Sequence, residues 1–168
     1  CADLSFAAFA SLAACLSPEP GERLLHLGSG SGRAVAAWAL LLPHSAASGV
    51  EGCPALHAAA VAAAMRLEPE VRARLFLHNG DVFAAQEDWH QAGIILIDAS
   101  GYSDGDIRRF AEGLDIVRPG TRVASLSRPL ARDPHAAPPG FSLARSALYR
   151  STTSGNSTVF IYRKLEPI

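Results

Sequence analysis

Arg23-Leu24-Leu25-His26-Leu27-Gly28-Ser29-Gly30-Ser31-Gly32-Arg33 is the stretch that decides the fold. Arg23–Leu27 reads as a short apolar strand. It runs directly into three glycines at alternate positions, and Arg33–Leu42 follows as a helix closed by Pro43. Glycines in such a turn let the backbone bend tightly and approach a ligand with no Cβ in the way. The helix N-terminus adds a positive partial charge suited to a carboxylate or phosphate. The spacing is G-x-G-x-G; in the dinucleotide pattern G-x-G-x-x-G the third glycine would fall at Arg33. That argues against a nicotinamide-dependent oxidoreductase, as does the lack of a separate catalytic domain. The chain contains no G-x-x-x-x-G-K-[ST] run, which excludes a P-loop nucleotide hydrolase.

Working outward, Ala2–Leu16 reads as a helix with Phe6, Phe9, Leu12 and Leu16 near one face, ended by Ser17-Pro18-Glu19-Pro20-Gly21. Ala47–Glu51 is a second strand, and Pro54 opens a helix to about Arg66. Arg74–His78 is a third strand, with a short helical stretch around Ala84–His90 after it. Gly93–Asp98 carries four consecutive large aliphatics, the pattern of a strand buried on both faces of a parallel sheet. Asp104–Val117 is a helix whose start, Ser103 before Asp104 and Asp106, has a capping pattern that needs no function. Thr121–Ser127 is a fifth strand, Arg132–Gly140 a proline-rich loop, and Phe141–Arg150 with Ser157–Lys164 an antiparallel hairpin. Alternating strands and helices predict a doubly wound α/β fold in three layers, a mostly parallel sheet covered on both faces. Residues 1–168 are expected to form one domain, with a helical segment over 1–17 and the core over 22–164.

Ligands of such sheets sit outside the carboxyl ends of the strands, at the switch point. The residues just after each strand are therefore the candidates. Gly28, Ser29, Gly30 and Gly32 follow the first. Glu51 ends the second, 23 residues beyond Gly28, where a carboxylate can accept from both hydroxyls of a ribose. Gly80-Asp81 follows the third, where a carboxylate can accept from an exocyclic adenine amine. Each has a structural alternative on its own: a tight turn, a surface glutamate, an Asp opening a helical turn. Together, each directly behind its strand, they are more specific.

Composition bounds the partners. The 168 residues are 49% hydrophobic and 18% charged, which excludes intrinsic disorder. Fifteen basic against sixteen acidic side chains leave no general footprint for nucleic acid or an acidic membrane surface. No apolar run reaches about 18 residues, so no membrane span is expected. Cys1, Cys15 and Cys53 are odd in number and lack CxxC spacing, which predicts neither a disulfide framework nor zinc, and a reducing, cytoplasmic setting. His44, His57, His78, His90 and His135 form no HxxxH ligand spacing, so no metal is expected. The start at Cys1 rather than a methionine suggests a longer parent chain. A homodimer or larger complex stays open.

Leu24-Leu25-His26-Leu27-Gly28-Ser29-Gly30-Ser31-Gly32 resembles the first motif of the class I S-adenosylmethionine-dependent methyltransferases. Gly49-Val50-Glu51 resembles their ribose-binding second strand, Asn79-Gly80-Asp81 their adenine-contacting turn, and Arg118-Pro119-Gly120-Thr121-Arg122-Val123 the turn before their fifth strand. The resemblance covers about residues 18 to 164. It implies a seven-stranded sheet with the last strand reversed by the terminal hairpin, S-adenosyl-L-methionine as cofactor, and methyl transfer to an acceptor the sequence does not identify. Leu27-Gly28-Ser29-Gly30, Gly49-Val50-Glu51, Ser127-Arg128-Pro129 and Thr152-Thr153-Ser154-Gly155 further resemble DOT1-type lysine methyltransferases. Against that, Asp98-Ala99-Ser100-Gly101-Tyr102 behind the fourth strand has only Tyr102 aromatic, and Thr153 replaces the hairpin tryptophan, so an aromatic channel for a lysine is not expected.

By the same resemblance, His26 occupies a position usually acidic, where it faces the methionine end of the cofactor. Asp98, Ser100 and Tyr102 fall after strand four and face the methyl group. Asp98 is the candidate to orient an amine or act as a base, or else it caps the next turn; Tyr102 walls the acceptor pocket or is a surface tyrosine. Arg108-Arg109 reads as a solvated helix face. His26 and the sparse acceptor side leave a second reading, a catalytically inactive binding or scaffold module of the same fold.

Overall fold

The computed structural model describes residues 4–152 and 155–167. Leu24–Leu27 forms β1, four buried residues paired in parallel with neighbours on both sides: Leu24 lies beside Ala47 of β2 (Ala47–Glu51) and Ile94 of β4 (Ile94–Asp98). β3 (Leu75–Asn79) continues the sheet beyond β2, and β5 (Arg122–Leu126) continues it beyond β4. The hairpin of β6 (Phe141–Arg150) and β7 (Asn156–Lys164) then returns antiparallel, giving the order β3-β2-β1-β4-β5-β7-β6. The predicted seven-stranded, mostly parallel sheet with its reversed end is therefore the observed one. The chain steps from β1 to β2 on one side and reaches β4 on the other, so the switch-point crevice opens beyond the ends of β1 and β4.

Alternation along the strands builds two cores. Leu25, Leu27, Ile95 and Ile97 face one layer with Trp89, Phe110 and Tyr162. Leu24, Ile94, Leu96 and Ala124 face the other, against Phe9, Leu12 and Leu16 of α1 (Phe6–Leu16) and Trp38 of α2 (Arg33–Leu41). All five residues of β4 are buried, as four consecutive aliphatics require.

Several boundaries differ from expectation. The first helix starts at Phe6, capped by the Ser5 hydroxyl, which accepts from the Ala8 N–H; Leu4 pairs instead with Ser151, just past the end of β6 at the turn of the hairpin. Burying Phe9, Leu12 and Leu16 contributes about 5–9 kcal/mol of transfer free energy, enough to make α1 part of the domain. α3 (Pro54–Ala64) stops before Arg66, and a short helix absent from the sequence reading, α4 (Pro69–Arg72), follows it with proline in its first turn. The stretch at 84–90 narrows to α5 (Gln86–Trp89). The helix expected to reach Val117 is α6 (Asp104–Gly113), followed by one 3₁₀ turn over Leu114–Ile116. A Cβ at Gly113 would lie 2.8 Å from the Trp89 ring, so the glycine there makes room for that buried indole. The predicted start of α6 is observed as a reciprocal cap: Ser103 Oγ accepts from the Asp106 N–H, and the Asp106 carboxylate accepts from the Ser103 N–H. Thr153 and Ser154 of the predicted hairpin turn lie outside the described residues.

At the amino ends of the strands, opposite the crevice, the Arg122 guanidinium of β5 donates to the Leu16 carbonyl and pairs with Glu22. Both side chains are largely buried, and they lock the end of α1 to the strand that precedes the loop 127–140.

Candidate functional site

The glycine turn leaves β1 with Gly28, Gly30 and Gly32 all at positive φ, between 57° and 76°, a region that suits glycine. Two of its features answer to packing within the chain. A Cβ at Gly32 would lie 2.9 Å from the Ala60 Cβ, so this glycine admits α3. A Cβ at Gly49, in β2, would lie 2.7 Å from Ser29 Oγ and 2.9 Å from Val35 Cγ2, so that glycine admits the turn itself. Gly80 is open: nothing lies within 4 Å of where its Cβ would be.

Glu51 is tied to the turn. One carboxylate oxygen accepts from the Gly30 N–H at 2.7 Å and the other from the Cys53 N–H at 2.8 Å. Each oxygen keeps a second acceptor direction. Asn79 Nδ2 donates to the Glu51 carbonyl at 2.7 Å, which holds the ends of β2 and β3 together. Asp81 lies exposed at the end of the next turn and accepts from the Phe83 N–H at 3.0 Å. Asp98, buried at the end of β4, accepts from the Ser100 hydroxyl at 2.7 Å and from the Ser100 N–H. The local alternatives weighed for Asp81 and Asp98 are thus realised: both close turns. A carboxylate has about four acceptor directions, so closing a turn and a ligand role are compatible for Asp81.

Tyr102 joins these groups. Its hydroxyl lies 3.2 Å from the position a Cβ would take on Gly28, so the phenol rests against the glycine turn. Its ring stands edge-on to Phe110 at 4.9 Å between centroids. Burial, and then the charges of Glu51, Asp98 and Asp81, push the phenol up to about 12. Tyr102 is therefore a protonated donor in an anionic setting, and it is not the surface tyrosine of the bland alternative.

His26 and Asp98 both line a cavity of about 240 Å³ on the α1–α2 side of the sheet. Its other walls are mostly apolar, with Phe6 and Phe9 from α1, Leu40 from α2 and Leu126 from β5. Arg33 stands at the same cavity as the first residue of α2. The α1 contribution was not legible in the sequence: Phe6 and Phe9 look like ordinary apolar helix positions until the helix is docked. The loop after β5 was legible only as a resemblance. There Arg128 donates to the Tyr102 carbonyl at 2.5 Å and pairs with Asp104, fastening the loop after β4 to the loop after β5. Among the described residues no group of three or more His, Cys, Asp or Glu side chains could hold a metal ion, and no helix is long and apolar enough to cross a membrane.

No family model and no curated protein matches the chain by sequence. Solved structures match it closely in shape. TrmN from Thermus thermophilus superposes with a TM-score of 0.76 at 23% identity, covering 94% of this chain and 48% of that one. The chain thus spans about half the length of TrmN. The glycopeptide N-methyltransferase MtfA gives a TM-score of 0.74 at 15% identity, covering 98% and 97% of the two chains. A SAM-dependent methyltransferase from Geobacter sulfurreducens, solved in complex with S-adenosyl-L-homocysteine, gives 0.70 at 18% identity, covering 98% and 93%. The seven-stranded sheet with its antiparallel β5-β7-β6 end, the glycine turn after β1 and these superpositions agree: the chain has the class I methyltransferase fold.

Proposed function

We propose that the protein is an S-adenosylmethionine-dependent methyltransferase. One observation carries the reading. Carboxylates from the ends of three different strands, Glu51, Asp81 and Asp98, come to one end of the sheet with the glycine turn: Glu51 accepts from the Gly30 N–H at 2.7 Å, Asp81 and Asp98 close the turns behind β3 and β4, and the Tyr102 phenol of the loop after β4 rests on Gly28. The sequence alone places them only at the same end of a sheet. An anionic rim of this kind suits a ligand that carries a sulfonium and an ammonium charge.

The residues fit the cofactor. Glu51 retains acceptor directions for ribose hydroxyls, Asp81 for an adenine amine, and the open backbone at Gly80 leaves room beside them. His26 and Asp98 place polar groups at the floor of the adjoining cavity, where the methionine end belongs. When bound, S-adenosylmethionine supplies a methyl group on a positively charged sulfur. The protein's part is to orient the acceptor and exclude water around it. Phe6, Phe9 and Leu126 supply the apolar wall, and Asp98 is the group placed to orient a nucleophile or take its proton. The finer likeness to DOT1-type lysine methyltransferases is not adopted, because Tyr102 is the single aromatic in the segment Asp98–Tyr102 behind β4.

Calorimetry with S-adenosylmethionine and S-adenosylhomocysteine tests the proposal. The expected dissociation constant is on the order of micromolar, about 8 kcal/mol. No heat and no thermal shift at about 1 mM ligand would instead favour the scaffold reading. His26→Asp adds a second arm. Tighter binding would show that an imidazole weakens the grip on the ligand's ammonium, and lost binding would make the histidine a specialised contact.

A further inference from the structure

The loop after β5 and the first turn of α6 enclose a second space, a cleft of about 590 Å³ on the face of the sheet opposite α1. Its floor includes Ile107 and Leu130, both buried. Three guanidinium groups line it, from Arg108, Arg128 and Arg132, against one carboxylate, Asp104. Asp104 pairs with Arg128 and cancels it. The acids nearest in sequence are engaged elsewhere: Asp106 bonds Ser103 and faces Arg109, and Asp133 accepts from the His135 N–H. Arg108 and Arg109 are both exposed, as a solvated helix face requires, but Arg109 lies over the Phe83 ring at 3.8 Å and is engaged there. Arg108 and Arg132 are left exposed, with no hydrogen bond or ion pair among the described residues, and they give the cleft two uncompensated positive charges.

The cleft is coupled to the proposed reaction centre through Arg128. The same guanidinium that lines it donates to the carbonyl of Tyr102, whose phenol rests on Gly28. Arg128 follows Ser127, a non-glycine residue at φ 70°, in the left-handed region that side chains other than glycine rarely adopt. The Ser127 N–H donates to the Thr158 carbonyl at 2.7 Å and its hydroxyl meets Ser157 at 3.0 Å, so β7 holds the strained residue in place. The backbone therefore turns sharply where it presents Arg128 toward the centre.

We propose that this cleft binds a phosphate group carried by the methyl acceptor. Two unpaired guanidiniums match the charge of a phosphate dianion and its several acceptor oxygens; a single carboxylate would satisfy only one of them. The apolar floor accommodates the part of the acceptor next to the phosphate. The proposal rests on the methyltransferase reading, since it assigns the anion to that reaction's second substrate.

The test titrates inorganic pyrophosphate, with acetate as the comparison anion, into the whole chain at constant ionic strength, followed by backbone amide NMR shifts. The same samples are assayed calorimetrically with S-adenosylhomocysteine. The variant is Arg108→Ala/Arg132→Ala, at exposed side chains whose loss leaves the fold intact. The expected result is saturable pyrophosphate binding in the millimolar range at residues of the cleft, weakened about 10-fold or more in the variant, with no saturable acetate binding. Absent pyrophosphate binding, binding unchanged in the variant, or equal binding of acetate would overturn the proposal while S-adenosylhomocysteine still bound. Failure of S-adenosylhomocysteine alone would remove the acceptor role along with the methyltransferase reading, whatever pyrophosphate did.

Discussion

Replacing Glu51 with alanine separates what this carboxylate does for the protein from what it does for a ligand. In the folded chain it accepts from the N–H groups of Gly30 and Cys53 at 2.7 and 2.8 Å. The first is partly buried, so its loss costs about 1.5–2 kcal/mol; the second is exposed and adds about 0.5–1 kcal/mol, because water replaces the carboxylate there. The sum is about 2–3 kcal/mol, or about 5–10 °C in melting temperature for a domain of this size. The loss should appear with no ligand present, in denaturant or thermal unfolding. Ligand affinity should fall further than stability explains, because the ribose contacts go as well. Calorimetry with S-adenosylhomocysteine, carried out well below the variant's melting temperature, should show at least about a 10-fold weakening. Glu51→Gln should recover part of the stability through its amide oxygen. An unfolding midpoint unchanged in Glu51→Ala would refute the anchoring argument; unchanged ligand affinity would remove Glu51 from the site.

Three other outcomes follow from the same geometry. Gly49→Ala forces a methyl to within 2.7 Å of Ser29 Oγ and 2.9 Å of Val35, so urea unfolding should show a loss of about 1–3 kcal/mol, and an unchanged midpoint would contradict the packing. For Glu22, burial pushes the carboxyl up, but the Arg122 hydrogen bond and charge and the Glu19 backbone bond together outweigh it, and its pKa lies below the ordinary 4.5. A depressed carboxyl contributes stability that is present above 4.5 and lost as pH falls through the folded value. Wild type should therefore lose more stability than Glu22→Gln on acidification in that range, measured as the difference in unfolding midpoints. For Tyr102 the sign is opposite in direction of pH. With the phenol at about 12 in the fold and 10.0 when free, its stabilisation is complete below pH 10 and vanishes as pH rises toward 12. Tyr102→Phe should lose less stability than wild type across that window, and parallel losses would show that the phenol is not held among the carboxylates.

Much of the fold was legible because its signals are local. The aliphatic run of β4 and the three glycines behind β1 need no knowledge of the rest of the chain to be read. Asp81 and Asp98 were legible in position but not in role. That each closes a turn depends on one N–H two residues on, whose direction is set only when the strand end is fixed. Gly32 illustrates the harder case. Its pattern suggested a ligand, yet the atom that excludes a side chain there is Ala60 of α3, remote in sequence. The alanine-rich helices hid such contacts, since alanine suits a buried and an exposed face equally and leaves little periodicity to read.

Sequence alone determined the order of the strands and of the helices between them, the short α4 excepted, and with it the end of the sheet where polar strand-end residues gather. Alternating β and α segments have few ways to pack, and backbone hydrogen bonding with right-handed crossovers selects among them. Only the tertiary structure decided which side chains meet: Tyr102 on Gly28, Arg128 on the Tyr102 carbonyl, α1 as a wall beside His26. Those contacts join residues tens of positions apart. Their distances depend on how helices seat on a twisted sheet, a choice made by close packing of the whole core and not by any local run of residues.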